Sequence, residues 1–161
     1  MDSTFSFCVP LSDDSDTTML GQQLAALLQP GDTLLFAGSI GAGKTHLARA
    51  IIQARLAASG RREEVPSPTY TLVQSYTDGM CEIWHVDLYR ITGPDEVVEL
   101  GIVEAFESCI VLVEWPDRLG NLAPDNALRI DLRAEGSGRV ARFAWSSLRW
   151  KTLLPALDLA S

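Results

Sequence analysis

A glycine-rich segment constrains the fold of this chain more than any other feature. Positions 38–45 read Gly-Ser-Ile-Gly-Ala-Gly-Lys-Thr and match the pattern G-x-x-x-x-G-K-[ST]. The preceding run Thr33–Ala37 predicts a short buried strand, and the apolar residues that follow the segment keep helical spacing as far as Ala58. Strand, glycine loop and helix in this order predict a phosphate-binding P-loop in an α/β domain.

Each residue type in this loop has a physical role in binding a nucleotide. Glycines allow backbone conformations that bring N–H groups close to phosphates at the start of a helix, where the helix dipole favours anions. Lys44 is expected to reach the β and γ phosphates, and the Thr45 hydroxyl is expected to bind Mg²⁺. The predicted nucleotide-binding residues of the loop are Gly38, Ser39, Ile40, Gly41, Ala42, Gly43, Lys44 and Thr45.

Two carboxylates at predicted strand ends are candidates for the chemistry that a P-loop alone does not supply. Glu114 follows the apolar strand Cys109–Val113, where a P-loop protein carries the acid that holds magnesium. Asp87 follows the predicted strand Cys81–Val86 and is a candidate for a water-mediated metal contact or for the base in hydrolysis. The alternative for both residues is a solvated carboxylate at a strand end.

Three further residues are weaker candidates. Thr69 follows Ser67 and Pro68, and it lies either near the γ-phosphate, as a switch-loop threonine, or at the opening of a strand. Trp115 either lines the site or belongs to the core or to a partner surface. For His85, a satisfied core histidine is favoured over a catalytic one.

Periodicity and turn signals predict the remaining elements. A helix, two antiparallel hairpins, a short helix and a helical tail are expected. Their limits are Asp14–Leu28 for the helix, Thr69–Tyr76 with Cys81–Val86 and Leu128–Arg133 with Arg139–Trp145 for the hairpins, Asp95–Leu100 for the short helix, and Ser146 or Ser147 to about Leu154 for the tail.

Length and charge limit the functions open to the chain. Its 161 residues predict one domain, and the absence of a long apolar run or a signal-like start predicts a cytoplasmic protein. With 13 basic against 21 acidic residues the net charge is −8, which opposes unaided binding to a nucleic acid backbone. Four arginines of the second hairpin form either a basic face for RNA or an acidic partner or, as the favoured interpretation, a solvated face: Arg129, Arg133, Arg139 and Arg142.

Several segments in sequence order resemble one known family. They are Gly41-Ala-Gly-Lys-Thr45, Ser67-Pro-Thr-Tyr-Thr71, His85-Val-Asp-Leu-Tyr-Arg90 and Glu114-Trp-Pro116. From about residue 11 to about residue 145, the chain is similar to the bacterial tRNA threonylcarbamoyladenosine biosynthesis ATPases, the TsaE family. The P-loop itself is generic, whereas the other three segments in this order are specific to the family.

The resemblance implies a three-layer α/β P-loop domain with a mainly parallel sheet and antiparallel hairpins. It implies an ATPase, slow alone, that uses Mg-ATP and works with a TsaD-like carbamoyltransferase subunit and its inactive TsaB-like paralogue on ANN-reading tRNAs. Hydrolysis would reset that complex, and tRNA contact would come mainly through the partners. By position, Thr45 and Glu114 would bind magnesium, Asp87 and Thr69 would serve hydrolysis, and Trp115 would lie beside the nucleotide.

The resemblance also suggests where the base binds and where this chain departs from its family. The base is expected near Asp13 and Asp14, with the C-terminal hairpin approaching it. Ser39-Ile40 and His46 differ from the usual residues, but they remove neither a backbone donor nor a magnesium ligand. Two alternatives remain open, a small-molecule or nucleoside kinase and an adaptor that binds ATP but scarcely hydrolyses it.

Overall fold

The computed structural model describes residues 5–156. The strands are β1 (Phe5–Leu11), β2 (Thr33–Ala37), β3 (Val73–Thr77), β4 (Glu82–Asp87), β5 (Ile110–Glu114), β6 (Leu128–Glu135) and β7 (Gly138–Trp145). The helices are α1 (Asp14–Leu27), α2 (Lys44–Ala58), α3 (Pro94–Glu99), α4 (Ile102–Ser108) and α5 (Leu148–Leu153), with 3₁₀ turns at Pro116–Leu122 and Leu154–Ala156.

All seven strands belong to one sheet in the order β1-β7-β6-β2-β5-β4-β3. The four central strands β6, β2, β5 and β4 are parallel, and antiparallel partners extend the sheet at both edges. The predicted fold class, a parallel core that carries antiparallel hairpins, is therefore confirmed. In the register of β4 and β5, Asp87 lies opposite Glu114, so both strands end at the same level.

Helices cover both faces of the sheet because alternate strand residues point to opposite sides. Leu34 and Phe36 pack in a core beneath α1 and α2, whereas Leu35 packs in a second core beneath α3 and α4. Trp150 of α5 is wholly buried in the first core, and its indole N–H donates to the Asn126 carbonyl at 2.6 Å. Within residues 5–156, every helix is too short or too polar to cross a membrane.

The structure corrects one predicted strand and adds two elements. The strand expected from Thr69 begins only at Val73, because the Leu72 N–H donates to the Pro68 carbonyl at 2.8 Å and closes a turn in which Leu72 has a φ of 68°. Strand β1 was not predicted, since an edge strand that contains Pro10 lacks a clear alternation. Helix α4 was also missed, because seven residues are too few to show helical periodicity.

Candidate nucleotide-binding site

The glycine loop joins the carboxyl end of β2 to the first residue of α2, and two glycines fix its shape. Gly38 has a φ of 141°, and a Cβ atom there would lie 2.4 Å from the Leu132 carbonyl oxygen, so only glycine fits. Gly43 has a φ of 107° and caps α2 without a side-chain hydrogen bond. The first N–H groups of α2 therefore have no side-chain acceptor at Gly43, which is the arrangement that binds an anion.

Lys44 places a buried ammonium group at the mouth of this loop. Its side chain donates to the Gly38 carbonyl at 2.6 Å and to the Ser39 carbonyl at 2.8 Å, and the amine lies 4.0 Å from the centre of the Trp115 ring. Burial lowers the pKa of Lys44, although the nearby charges of Glu114 and Asp87 oppose that change. The loop thus carries a cation that carbonyl dipoles and an aromatic face hold in place.

Glu114 is fixed through both of its carboxylate oxygens. It is the last residue of β5 and only 2% exposed. The Thr45 hydroxyl donates to Oε1 at 2.7 Å, and Nε2 of His85 lies 2.7 Å from Oε2. The carboxylate therefore connects α2, β5 and β4 directly beneath the loop.

Asp87 lies beside Glu114 at the end of the neighbouring strand. The Tyr89 N–H donates to Oδ1 at 2.9 Å, and the Thr69 hydroxyl donates to Oδ2 at 3.3 Å. Ser67 and Thr69 share a hydroxyl contact of 2.7 Å that links them in the preceding turn. Each oxygen of Asp87 thus accepts one bond from these groups and keeps further acceptor capacity, and the residue lines a pocket beside the loop.

Trp115 and Tyr89 form an aromatic wall beside the lysine. Trp115 has a φ of 61°, which is uncommon for a residue with a side chain and directs the chain sharply away after β5. The two ring centres are 4.8 Å apart, in a tilted arrangement. Residues held in this region cost free energy and cluster at functional sites, which agrees with the place of Trp115 beside the loop.

These groups line a pocket of about 350 Å³. Its lining residues are Ile40, Gly41, Gly43, Lys44, Thr45, His46, Thr69, Asp87, Tyr89, Glu114 and Trp115. A second pocket of about 280 Å³ also includes Gly41 and is formed by Asp13, Asp14 and the turn between β6 and β7. There Arg139 donates to Asp14 at 3.2 Å.

Comparison with known proteins gives a consistent result. A family model described as "Threonylcarbamoyl adenosine biosynthesis protein TsaE" matches residues 11–142. The chain belongs to the TsaE family. The tRNA threonylcarbamoyladenosine biosynthesis protein TsaE of Rickettsia conorii is 36% identical over 124 residues, which cover 77% of this chain and 69% of that protein. Its counterpart in Bacillus subtilis is 33% identical over 122 residues, 75% of this chain and 73% of that protein.

A solved structure shows the same architecture. The crystal structure of Bacillus subtilis YdiB superposes with a TM-score of 0.73 at 26% sequence identity, and the match covers 97% of this chain and 95% of that chain. The resemblance to the TsaE family inferred from the motifs is therefore confirmed.

In this TsaE family member, the residues predicted for the site come together around one pocket. The predicted loop residues that do not line the pocket support the loop from within: Gly38 and Ser39 accept from Lys44, and the Ala42 N–H donates to Ser39 at 3.1 Å. Trp115 lines the pocket, which favours a role in the site over a place in the core alone.

Sequence reasoning did not assign Tyr89 to the site, and it did not anticipate the contact of His85 with Glu114. His85 is a buried core residue, as favoured, and its Nε2 contacts Glu114, whereas Nδ1 lacks a hydrogen-bond partner within residues 5–156. A signal existed in the sequence, since His85 precedes Asp87 by two residues and alternate residues of a strand share one face. Tyr89 and His46 line the pocket from loop and helix positions that periodicity does not mark.

The site has the donors that a magnesium nucleotide requires. Uncapped helix N–H groups and the Lys44 ammonium fit phosphate oxygens, and the Thr45 hydroxyl with the Glu114 and Asp87 carboxylates fit a hard cation. Within residues 5–156, no group of three or more His, Cys, Asp or Glu residues forms a complete metal site. Magnesium in nucleotide sites usually takes one or two carboxylates and completes its shell with phosphates and water.

Proposed function

We propose that this chain is the Mg-ATP-dependent ATPase subunit required for threonylcarbamoyladenosine modification of ANN-reading tRNAs. It acts in the cytoplasm with a TsaD-like carbamoyltransferase subunit and its inactive TsaB-like paralogue, and hydrolysis resets that complex between turnovers. Membership of the TsaE family supports the pathway. The observation that carries the proposal is the hydrogen bond between Thr45 of the P-loop and Glu114 at the end of β5, with Asp87 in register beside Glu114.

Binding rests on the loop and the metal ligands. When bound, ATP would supply the phosphoanhydride bond that water breaks, and Mg²⁺ would neutralise negative charge on the phosphates. Lys44 contributes a positive charge for the β and γ phosphates, and the α2 amides contribute donors. Thr45 and Glu114 would hold the metal, because their hydrogen bond already sets them side by side.

Hydrolysis rests on Asp87 and Thr69. Both residues line the pocket, and Asp87 accepts only two hydrogen bonds among the residues that the structure describes, so its carboxylate has acceptor capacity with which it would hold and orient the attacking water. Thr69 belongs to the turn before β3 rather than to the strand. Its hydroxyl would therefore be free to change its hydrogen bonds when a γ-phosphate binds. Trp115 and Tyr89 form one side of the pocket and limit the access of bulk water to Lys44.

The adenine base is assigned to the second pocket. Asp13 and Asp14 begin α1 there, and Gly136, Ser137 and Gly138 approach them from the turn between β6 and β7. The pocket includes Gly41 of the loop, so it adjoins the phosphate region. This arrangement agrees with the base position that the family resemblance implies.

Charge supports a division of labour with the partners. The chain has a net charge of −8, and two of the four hairpin arginines are already paired, Arg129 with Asp117 and Asp131, and Arg139 with Asp14. Only part of the arginine face is therefore open for phosphate contacts. The tRNA backbone needs many cations, so the partners supply most of its binding surface.

The position of Arg61 and Arg62 argues against a kinase. A kinase of this size needs arginines that close over the phosphates, and these are the only adjacent arginines in the chain. They follow the carboxyl end of α2, whereas the P-loop precedes its amino end, and 15 helical residues separate the two ends by about 22 Å. The pair therefore does not form a lid over the phosphates.

The experiment measures ATP hydrolysis by the purified chain, alone and with both partner proteins, with Lys44→Ala as the blank. We expect a low basal rate that the partners increase. Glu114→Ala should weaken Mg-dependent ATP binding, whereas Asp87→Ala should reduce turnover more than affinity. Tight ATP binding without partner-stimulated hydrolysis would indicate the adaptor, and phosphorylation of a nucleoside or shikimate panel would indicate a kinase.

A further inference from the structure

His85 is a buried polar residue that the roles above do not explain. It lies in β4 and has no exposed surface. Its Nε2 is 2.7 Å from Oε2 of Glu114, whereas Nδ1 has no hydrogen-bond partner in the part of the chain that the structure describes. A buried contact between an imidazole nitrogen and a carboxylate oxygen fixes the orientation of both groups, so it needs an explanation other than packing.

We propose that His85 is a positioning residue, which donates its Nε2–H to Glu114 and holds that carboxylate in the orientation that binds the magnesium of Mg-ATP. This inference rests on the proposed function, because it concerns the same metal site. His85 touches neither metal nor nucleotide in this arrangement and acts only through Glu114.

The contacts of the two ring nitrogens indicate which of them carries the proton in a neutral His85. A neutral imidazole has one N–H donor and one lone-pair acceptor. With the proton on Nε2, the donor faces the Glu114 carboxylate and only a lone pair at Nδ1 is left without a partner. With the proton on Nδ1, a buried donor would be unpaired and a lone pair would face a carboxylate oxygen, which costs more.

Glu114 needs such a partner because of its length and place. A glutamate has one more rotatable bond than the aspartate usual at this position, and it loses more rotamer freedom when it is fixed. The Thr45 hydroxyl fixes only Oε1. A donor from the neighbouring strand fixes Oε2. The carboxylate would therefore keep its orientation when the Thr45 hydroxyl turns from Glu114 to the metal.

The sheet register makes this contact specific. His85 and Asp87 lie on one face of β4, and Asp87 pairs in register with Glu114 of β5. Val86 points to the opposite face and packs in the second core, away from the site. The same short strand thus provides a site residue, a positioning residue and a neutral neighbour for comparison.

The test uses three variants of the full chain and two ATP-binding measurements. His85→Leu removes the donor at similar volume, His85→Gln keeps an amide N–H near the position of Nε2, and Val86→Ala controls for lost core packing. ATP affinity is measured by calorimetry in excess EDTA and then against Mg²⁺ concentration, and the turnover is measured over the same Mg²⁺ range.

We expect His85→Leu to leave metal-free ATP affinity within about twofold of the original and to raise the Mg²⁺ concentration for half-saturation about 10- to 100-fold, as for other residues that orient metal ligands. His85→Gln should recover most of that loss. A His85→Leu response equal to that of Val86→Ala, or an equal loss of metal-free and Mg-dependent binding, would overturn the inference.

A measurement on the unsubstituted protein covers the case in which His85→Leu does not fold. Long-range ¹H–¹⁵N spectra distinguish a protonated from an unprotonated ring nitrogen, and His85→Gln identifies the signal of His85. Protonated Nε2 with bare Nδ1 supports the inference, and the reverse overturns it. If the unsubstituted chain binds no ATP, the proposed function fails, whereas a failure confined to the His85 variants rejects this inference alone.

Discussion

The two ends of the parallel strands both bury carboxylates, but they pair them differently. At the amino end, Asp32 and Asp78 are bound by arginines and backbone amides. At the carboxyl end, Glu114 and Asp87 are bound by histidine, hydroxyl groups and one amide. The comparison separates carboxylates held by arginines and several amides from carboxylates that accept only two hydrogen bonds each from residues 5–156.

The amino end is saturated with hydrogen bonds. Arg149 binds Asp32 at 2.8 and 2.6 Å, one to each oxygen, and the Gln29 N–H donates to the same carboxylate at 2.7 Å. Arg55 donates twice to Asp78, at 2.7 and 3.1 Å. Asp32 thus accepts three hydrogen bonds, and Asp78 accepts four once the amides of Met80 and Cys81 are included, so few acceptor sites of either carboxylate are left open.

The same two arginines also stabilise the carboxyl end of α1. Arg55 donates to the carbonyls of Ala25 and Leu28, and Arg149 donates to that of Leu27. Helix α1 has no basic residue in its own last turn, so cations from α2 and α5 complement its dipole. The amino end therefore connects three helices, whereas the carboxyl end leaves a pocket open.

The largest expected effect is the loss of turnover in Lys44→Ala, a substitution at the carboxyl end of the strands. We expect turnover to fall on the order of 100- to 1000-fold, because a preorganised charge at the transferred phosphate is lost. The free energy of unfolding should change by less than about 1 kcal/mol, since the amine is desolvated and is not part of an arginine network. Enzyme assays and urea denaturation check both values. Lys151→Ala is the control, and a large loss of stability in Lys44→Ala would contradict the contrast.

Arg55→Leu tests the opposite end. It leaves the buried Asp78 carboxylate and the carbonyls of α1 unpaired, so we expect the free energy of unfolding to fall by about 3 kcal/mol. ATP affinity of the folded protein should be unchanged. Arg49→Leu serves as the matched control, because Arg49 lies on the same helix and, among residues 5–156, its guanidinium donates to the Val65 carbonyl alone, a bond worth about 1 kcal/mol. Equal losses in both variants would show that the carboxylate pairing contributes nothing extra.

The pH dependence of the free energy of unfolding tests the contribution of the Asp78 charge. Burial raises the pKa of Asp78, but amides of Cys81 and Met80 and the Arg55 guanidinium outweigh it, so its pKa lies below the usual value. Asp78 then contributes stability above its unfolded pKa of about 3.9, and that contribution is lost as pH falls through the lower folded value.

Asp78→Asn should therefore cost about 2 kcal/mol at pH 7, the order of a hydrogen bond to a charged group. The difference from the original protein should shrink as pH falls below about 4. Thermal unfolding from pH 7 to pH 2 measures it. A difference that stays constant over this range would mean that the charge of Asp78 does not contribute.

The smallest effect is expected for an exposed ion pair. Arg129 contacts Asp117 at 3.5 Å and Asp131 at 3.2 Å, and the Asp117 side chain is 81% exposed. Arg129→Gln should change the free energy of unfolding by less than about 0.5 kcal/mol. A loss similar to that of Arg55→Leu in the same denaturation assay would contradict the distinction between buried and exposed pairs.

The sequence predicts the central strands and the loop well, because both depend on local pattern. Strand β2 and the start of α2 are where the apolar run and the G-x-x-x-x-G-K-[ST] motif indicate. The predicted start of β3 at Thr69 was wrong. The Leu72 N–H donates to the Pro68 carbonyl and closes a turn there, although the residues have β propensity. Local preference cannot report that hydrogen bond, which depends on the backbone of the whole turn.

Pocket residues were easier to predict where the residue type itself is the signal than where a contact with a neighbouring strand places the residue. Glu114 and Asp87 stand out as carboxylates after apolar strands. The contact of His85 with Glu114 joins residues 29 positions apart and depends on β4 lying next to β5. Strand order is a property of the assembled sheet, and the sequence contains no direct signal for it.

The burial of Trp150 and the pairing of Arg149 with Asp32 also determine where the chain can be shortened. The family match stops at residue 142, but a protein truncated there would lose both of these side chains and the last residues of β7. It would open a cavity of tryptophan size in the first core and leave Asp32 buried without its cation. The residues that the family model matches therefore end before the residues that complete the first core. Shortened proteins and fusions should keep the chain at least as far as Leu154.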